Sequence, residues 1–318
     1  MKVLRDGWKW LADDAHQLKG VRVLQVAIGL AILFRVFTEA PFAAFLWGPT
    51  GLGWGHASDV IGPILGNLLD RVFTSNLSTF GVLIGLAGGA IGLVFGYWTR
   101  ASTAVALVAF FLLETRLPEL GDGGDNIIQL VLIYGLFLLP AKAKRVRGSV
   151  TVWIHNIGVL AIAFQLFVIY ETSGMMKAYG EQWHHGVAMY YISQVEWFSL
   201  PAMRTMFKNP IITTVATYVP MFYQILFPIA IISRIKLPWL FVGVIFHLGV
   251  AIFMGLITFS IVMIGLELFF ITDPQYTRII EHVRAGFYVR TGRSRLQPSV
   301  TANATLSGSV DVIRTVGD

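Results

Sequence analysis

Long apolar stretches alternate along this chain with short turns rich in basic and aromatic residues. A membrane-spanning helix needs about 20 mainly apolar residues. Segments 23–47, 79–98, 101–117, 126–141, 150–172, 211–233, 238–254 and 256–272 meet or approach that length. The pattern predicts an all-α, polytopic integral membrane helical bundle of about eight transmembrane helices. Two connections are longer than a turn. Residues 48–78 contain IGPILGNLLDRVF, whose apolar spacing suits a short interfacial helix, and residues 172–210 contain the aromatic run VEWFSLP. Both are expected on the outer face.

Composition agrees with this class. The 318 residues are 55% hydrophobic and only 13% charged, too little charge to clothe a soluble domain of this length. No cysteine is present, which excludes disulfides, thiolate ligands and a cysteine nucleophile. The net charge of +6 sits in short loops and at the ends of the chain, so it reads as membrane orientation and not as nucleic-acid binding. Basic residues crowd onto alternate connections, the KAKRVR turn after Pro140 most clearly. This places both termini on the cytoplasmic side of a bacterial cytoplasmic membrane.

Three regions follow. Residues 1–22, MKVLRDGWKWLADDAHQLKGVR, lack the features of a cleavable signal peptide and read as an amphipathic cytoplasmic segment at the membrane surface. Residues 23–272 form the transmembrane domain. Residues 273–318 form a basic tail, expected to be disordered from about Gln297 onward.

Ionisable residues inside the spans are Arg35, Glu39, His155, Glu171, His247 and Glu267. Such residues usually face a bundle interior or a water cavity, and those near helix ends can snorkel to the surface. Arg35 and Glu39, four apart, suit a structural pair. His247 in VGVIFHLGVAIFM lies near the middle of an apolar helix, where its imidazole needs a hydrogen-bond partner. A packing role and a site role both remain open for it.

The stretch YETSGMMKAYGEQWHHGVAMYY, residues 170–191, gathers chemistry after an apolar run. Its tyrosines and tryptophan fit an interfacial belt. On one continuous helix Lys177 and Glu181 would pair, as would Glu181 and His185. Glu181 with a histidine supplies two metal ligands, but further ligands must come from Asp122 or Asp125 and no HExxH pattern is present; no metal site is assigned. Lys177 has another use. An amine at the mouth of an apolar cavity can exist uncharged and take up a proton, which is general-base chemistry where a lipid-soluble substrate would arrive.

Lys177 within SGMMKAYGEQWHHGVAMYY resembles the transmembrane domain of the vitamin K-dependent γ-carboxylase-like family, also called the horizontally transferred transmembrane family. LWGPTGLGW, GYWTRAST, GDGGDNIIQLVLIYGLFL and FHLGVAIFMGLITFSIVMI fit it in order, over most of residues 21–272. In the animal carboxylase a lysine ahead of a tryptophan deprotonates vitamin K hydroquinone. The resemblance implies Lys177 as base and His247 as a second catalytic residue. It further implies a reduced quinone of the menaquinone or vitamin K type as cofactor. Tyr179, Trp183 and His184 near the lysine, with Asp125 and Asn126 at the start of the 126–141 segment, are the candidate substrate-binding residues.

Three departures accompany this likeness. The spacing from Lys177 to Trp183 is one residue longer, Asp125 and Asn126 stand where the carboxylase has an Asn-His pair, and only a basic tail follows the last span. Carboxylation of a clotting-type substrate is therefore not expected. Short bacterial members of the family include the sporulation-delaying-protein B-like group, which takes part in maturing exported peptide toxins. Similarity in size and span count implies an exported peptide as partner, beside the lipid bilayer. The alternative is a non-enzymatic chaperone, immunity or export factor for such a peptide. A transporter fits less well, because no paired broken helices or internal repeat is seen and the glycines of residues 85–96 suit close helix packing.

Overall fold

The computed structural model describes residues 2–140 and 148–291; the KAKRVR turn and the tail expected from Gln297 lie outside the described residues. The chain divides into two units, residues 1–276 and 277–318, the second described only through the end of its helix at Thr291. Among the described residues every regular element is helical. The N-terminal segment forms α1 (Lys2–Ala12), and each expected span contains helix. Residues 23–47 become α2 (Leu18–Glu39) and α3 (Ala43–Trp47), joined by a tight turn at Pro41.

Two more helices, α4 (Ala57–Ile61) and α5 (Pro63–Asp70), fill the first long connection. The next three expected spans are α6 (Asn76–Phe95), α7 (Thr99–Arg116) and α8 (Gly123–Gly135). The fifth is α9 (Val150–Tyr179), followed by the short α10 (Glu181–His184), α11 (Ala188–Gln194) and α12 (Pro201–Met206). The last three are α13 (Pro210–Ile225) with α14 (Phe227–Ile232), α15 (Lys236–Met254) and α16 (Ile257–Phe269), after which α17 runs Asp273–Thr291.

Among the described residues four helices are long and apolar enough to cross a membrane: Leu18–Trp47, Asn76–Phe95, Val150–Tyr179 and Lys236–Met254. A fifth is added if Ile257–Phe269 and Asp273–Ala285 count as one broken span. The other apolar segments give shorter or more charged helices. At 13 residues α8 rises only about 20 Å, less than the roughly 30 Å of a bilayer core. Arg100, Glu114 and Arg116 lie within α7.

Small residues set the close approaches in the core. A side chain at Gly265 of α16 would strike Ala27 of α2, and one at Gly20 would strike the Phe269 carbonyl. Gly89 and Gly92 of α6 lie against Ala106 and Ser102 of α7. Van der Waals packing of this kind is what holds helices together in lipid, where no hydrophobic force acts between them. The outward faces are apolar instead: Phe241, Ile245 and Ile252 of α15 are exposed, and only Leu240, Gly243 and His247 of that helix are buried.

Distant polar side chains satisfy the orphan groups at helix ends. Asp273 accepts from the first amides of α2, Leu18 and Lys19, at 3.1 and 2.7 Å. Arg22 donates to the last carbonyls of α6, at Leu93 and Val94. His155 and Asn156, fully buried near the start of α9, hold the N-terminal segment. Asn156 Nδ2 donates to the Leu11 and Asp14 carbonyls at 2.9 Å, and His155 bridges the Leu139 amide and the His16 carbonyl. His155 is thus a bridge between segments and does not snorkel.

The stretch from residue 172 to 210 departs from its expected course. Instead of ending near residue 172, α9 continues to Tyr179, and the chain then turns back along α13. Tyr218 donates to the His184 carbonyl at 2.6 Å, the Met189 amide donates to Thr217 Oγ1 at 3.2 Å, and Thr213 Oγ1 donates to the Phe207 carbonyl at 2.6 Å. Gly180 is extended and separates Lys177 from Glu181, so the pairing expected of one continuous helix is not made.

In the first long connection, Asp70 at the end of α5 accepts from the Ala57 and Ser58 amides that open α4, at 2.6 and 3.2 Å. Partial burial pushes its carboxyl up, but these amide donors outweigh that and hold it below the usual carboxylate range. A depressed carboxylate stabilises above its unfolded value, near pH 4, and loses that contribution as pH falls through the lower folded value. Hydrogen exchange at Ala57 and Ser58 should therefore stay slow at pH 6 and accelerate only below about pH 4. Asp70→Ala should remove the protection at every pH and destabilise the α4–α5 pair by about 1 kcal/mol.

Candidate functional site

Lys177 sits on the last turns of α9, half-buried against α13. Its Nζ donates to Gln224 Oε1 at 2.9 Å and lies 5.2 Å from the centre of the Trp183 ring. Trp183 reaches this position because Gly180 ends α9 and α10 folds back beside it. Together with Val168, Ile169, Thr172, Ser173 and Met176, these two residues line a groove of about 530 Å³. One amine and one indole thus edge an otherwise largely apolar hollow, the composition expected of a small-molecule site.

Two turns along the same face of α9, and so about 10 Å from Lys177 along the helix axis, Tyr170 enters a second group of polar residues. Tyr170 donates to Glu267 Oε1 at 2.5 Å, Tyr223 donates to the same oxygen at 2.8 Å, and the Tyr170 hydroxyl meets His247 Nε2 at 2.9 Å. All four side chains are buried. Four helices contribute one residue each: α9, α13, α15 and α16. Gly243 makes the meeting possible, since any side chain there would strike both the Tyr223 hydroxyl and the Glu267 carboxylate. His247 Nδ1 and Glu267 Oε2 have no hydrogen-bond partner among the described residues.

A third group lies around Arg35. Its Nε bonds Glu39 at 2.9 Å, while Nη1 contacts Glu114 Oε1 and Asp125 Oδ1 at 2.6 Å each. The expected Arg35–Glu39 pair is therefore half of a network that joins α2, α7 and α8. Asp125 has two tasks, because its other oxygen accepts from the Asp122 amide in the capping box that starts α8.

The candidate residues from the sequence thus divide. Lys177 and Trp183 meet in one groove. His247 is in the buried group. Asp125 is bound into the Arg35 network, and Asn126, next to it, is exposed. Tyr179 and His184 are exposed, His184 touching the site region only through its backbone carbonyl. Gln224 and Tyr223 were not singled out, Glu267 stood out only as an ionisable residue within a span, and Tyr170 only as a belt aromatic. Spacing offered one signal: Tyr170 lies seven residues before Lys177 on the same helix, so both fall on one face. Among the described residues no three His, Cys, Asp or Glu side chains form a metal-holding group.

The chain is similar to the sporulation-delaying protein SdpB of Bacillus subtilis (strain 168). The two are 28% identical over 173 residues, 48% of this chain and 52% of SdpB. The uncharacterized protein YitO of the same strain is 28% identical over 151 residues, 46% of this chain and 48% of YitO. The chain spans about half the length of the curated relatives it matches. No family model and no solved structure matches it.

The Arg35 network yields a stability prediction. Arg35→Met leaves three carboxylates without their cation and should destabilise the protein by about 3–5 kcal/mol, read as a lowered melting temperature in detergent. Adding Glu114→Gln and Asp125→Asn to Arg35→Met should recover part of the loss. A triple variant less stable than Arg35→Met alone would contradict the charge argument.

Proposed function

We propose that this chain is a multi-pass protein of the bacterial cytoplasmic membrane, built like the γ-carboxylase transmembrane domain, that takes part in maturing an exported peptide. The observation that carries this reading is the groove at Lys177, where one amine, held by Gln224 and faced by Trp183, meets an apolar hollow. The similarity to SdpB supports the link to a peptide system. In this reading about eight segments cross the membrane, the shorter ones buried among the longer, and both termini lie inside. The exposed Ile64, Leu65 and Leu68 of α5 rest in the outer interface.

The groove suits a reduced quinone. Its apolar walls fit a flat lipid-soluble ring, Trp183 offers an aromatic face, and Lys177 stands where an acidic ring hydroxyl would lie. A reduced quinone, when bound, supplies electrons and an ionisable hydroxyl. With such a ring bound, Lys177 Nζ as the uncharged amine would be the group to take up its hydroxyl proton, and Gln224 Oε1, which accepts from Nζ, would hold the ammonium in place. The apolar side chains of Val168, Ile169 and Met176 line the groove beside the amine.

Thermal stability of the purified protein in detergent, titrated with reduced menaquinone, tests this reading. Wild type should be stabilised progressively as ligand is added, by about 2.7 kcal/mol at a hundredfold excess over Kd. Trp183→Ala should weaken binding about tenfold. Lys177→Ala should fold and bind yet abolish modification of a co-expressed exported peptide. Absence of stabilisation in well-folded wild type sinks the quinol and leaves the second reading, a peptide-handling partner without chemistry, for which Trp183 matters and Lys177 does not.

A further inference from the structure

The group formed by Tyr170, Tyr223, His247 and Glu267 is not used in the proton transfer proposed at Lys177, yet it is costly to keep. Glu267 is fully buried, and the groups that face it are two hydroxyls and an imidazole, none of them a fixed positive charge. On the other side of α16, α2 presents Gly20, Leu24 and Ala27, which do not titrate. From α8, Gly124 lies against Phe259, and Asp125 is already paired with Arg35. Phe227 of α14 packs on both tyrosines. A carboxyl group in such a place is more expensive than an apolar residue of the same size unless it has a task.

With Glu267 as the carboxylate, counting protons sets the hydrogen-bond directions. Tyr170 has one hydroxyl proton and gives it to Glu267 Oε1, so its oxygen accepts from His247 Nε2–H. That leaves His247 Nδ1 as a bare lone pair, buried and without a partner among the described residues. A network that only held helices together would have this atom satisfied.

We propose that His247, Tyr170 and Glu267 form a proton relay within the helix bundle, with His247 Nδ1 as the point of entry and Glu267 as the terminal acceptor. A proton delivered to Nδ1 forms imidazolium. The Nε2–H proton then passes to the Tyr170 oxygen as the Tyr170 hydroxyl proton passes to Glu267 Oε1. His247 is left neutral with its proton on Nδ1, Tyr170 is again a phenol, and Glu267 is a neutral carboxylic acid. Tyr223 is a positioning residue, whose hydroxyl holds Oε1 in line. The relay does not require a quinol at Lys177, so it stands or falls separately from that reading.

The test uses the full chain in detergent, with infrared spectra of carboxyl groups and nitrogen NMR of labelled histidine recorded together across pH. In wild type, a carboxylic-acid band that Glu267→Gln removes should rise with the same midpoint as the change in the His247 ring nitrogens, because the pair titrates as one unit. Tyr170→Phe should separate the two midpoints by at least about tenfold in proton concentration, with the melting temperature showing that the variant is folded. Independent midpoints in wild type, or an unchanged common midpoint in Tyr170→Phe, would overturn the relay. If Glu267→Gln does not fold, glutamate-selective isotope labelling of wild type and Tyr170→Phe identifies the band, and the same comparison decides.

Discussion

A single guanidinium ties the outer part of the bundle together. Arg35 of α2 holds Glu39 on its own helix, Glu114 at the end of α7 and Asp125 at the start of α8. Two of these partners are ends of helices joined by a short turn, so the α7–α8 corner is fixed by charge as well as by packing. Asp125 also completes the cap of α8, which makes the start of that helix depend on the same side chain. From α8 the chain of contacts continues through Gly124 to Phe259 on α16, whose ring lies 5.8 Å from that of His247. Contacts thus run from Arg35 to the buried polar group.

The sequence made the helices legible because lipid imposes one rule on the backbone, that every amide be satisfied within its own segment. Runs of apolar residues accordingly became helices with few exceptions. Ends were harder to read. The end of α9 was expected near residue 172 because polar and aromatic residues gather there, but the Lys177 amine donates to Gln224 and to the Ser173 carbonyl, and the helix runs on to Gly180. An extended glycine, not polarity, was the stop signal.

The site was only half legible for a related reason. Lys177 and His247 stood out as isolated charges or near-charges in apolar surroundings, whereas Tyr170 and Tyr223 looked like ordinary membrane aromatics. Their hydroxyls acquire meaning only when four helices bring them to one oxygen of Glu267. Asp125 became a candidate substrate ligand through the resemblance; its contacts are to Arg35 and to the Asp122 amide, partners that a sequence pattern does not show.

Continuity of α9 links places that are far apart in the bundle. Its 30 residues form an unbroken rod of about 45 Å. Near one end Asn156 and His155 grip the N-terminal segment, along its middle Tyr170 meets Glu267, and near the other end Lys177 faces Trp183. A helix without a break transmits displacement along its axis instead of absorbing it. One unbroken helix therefore carries the contacts of the N-terminal segment, the buried hydroxyl and the lysine amine alike, and fixes their spacing along a single axis.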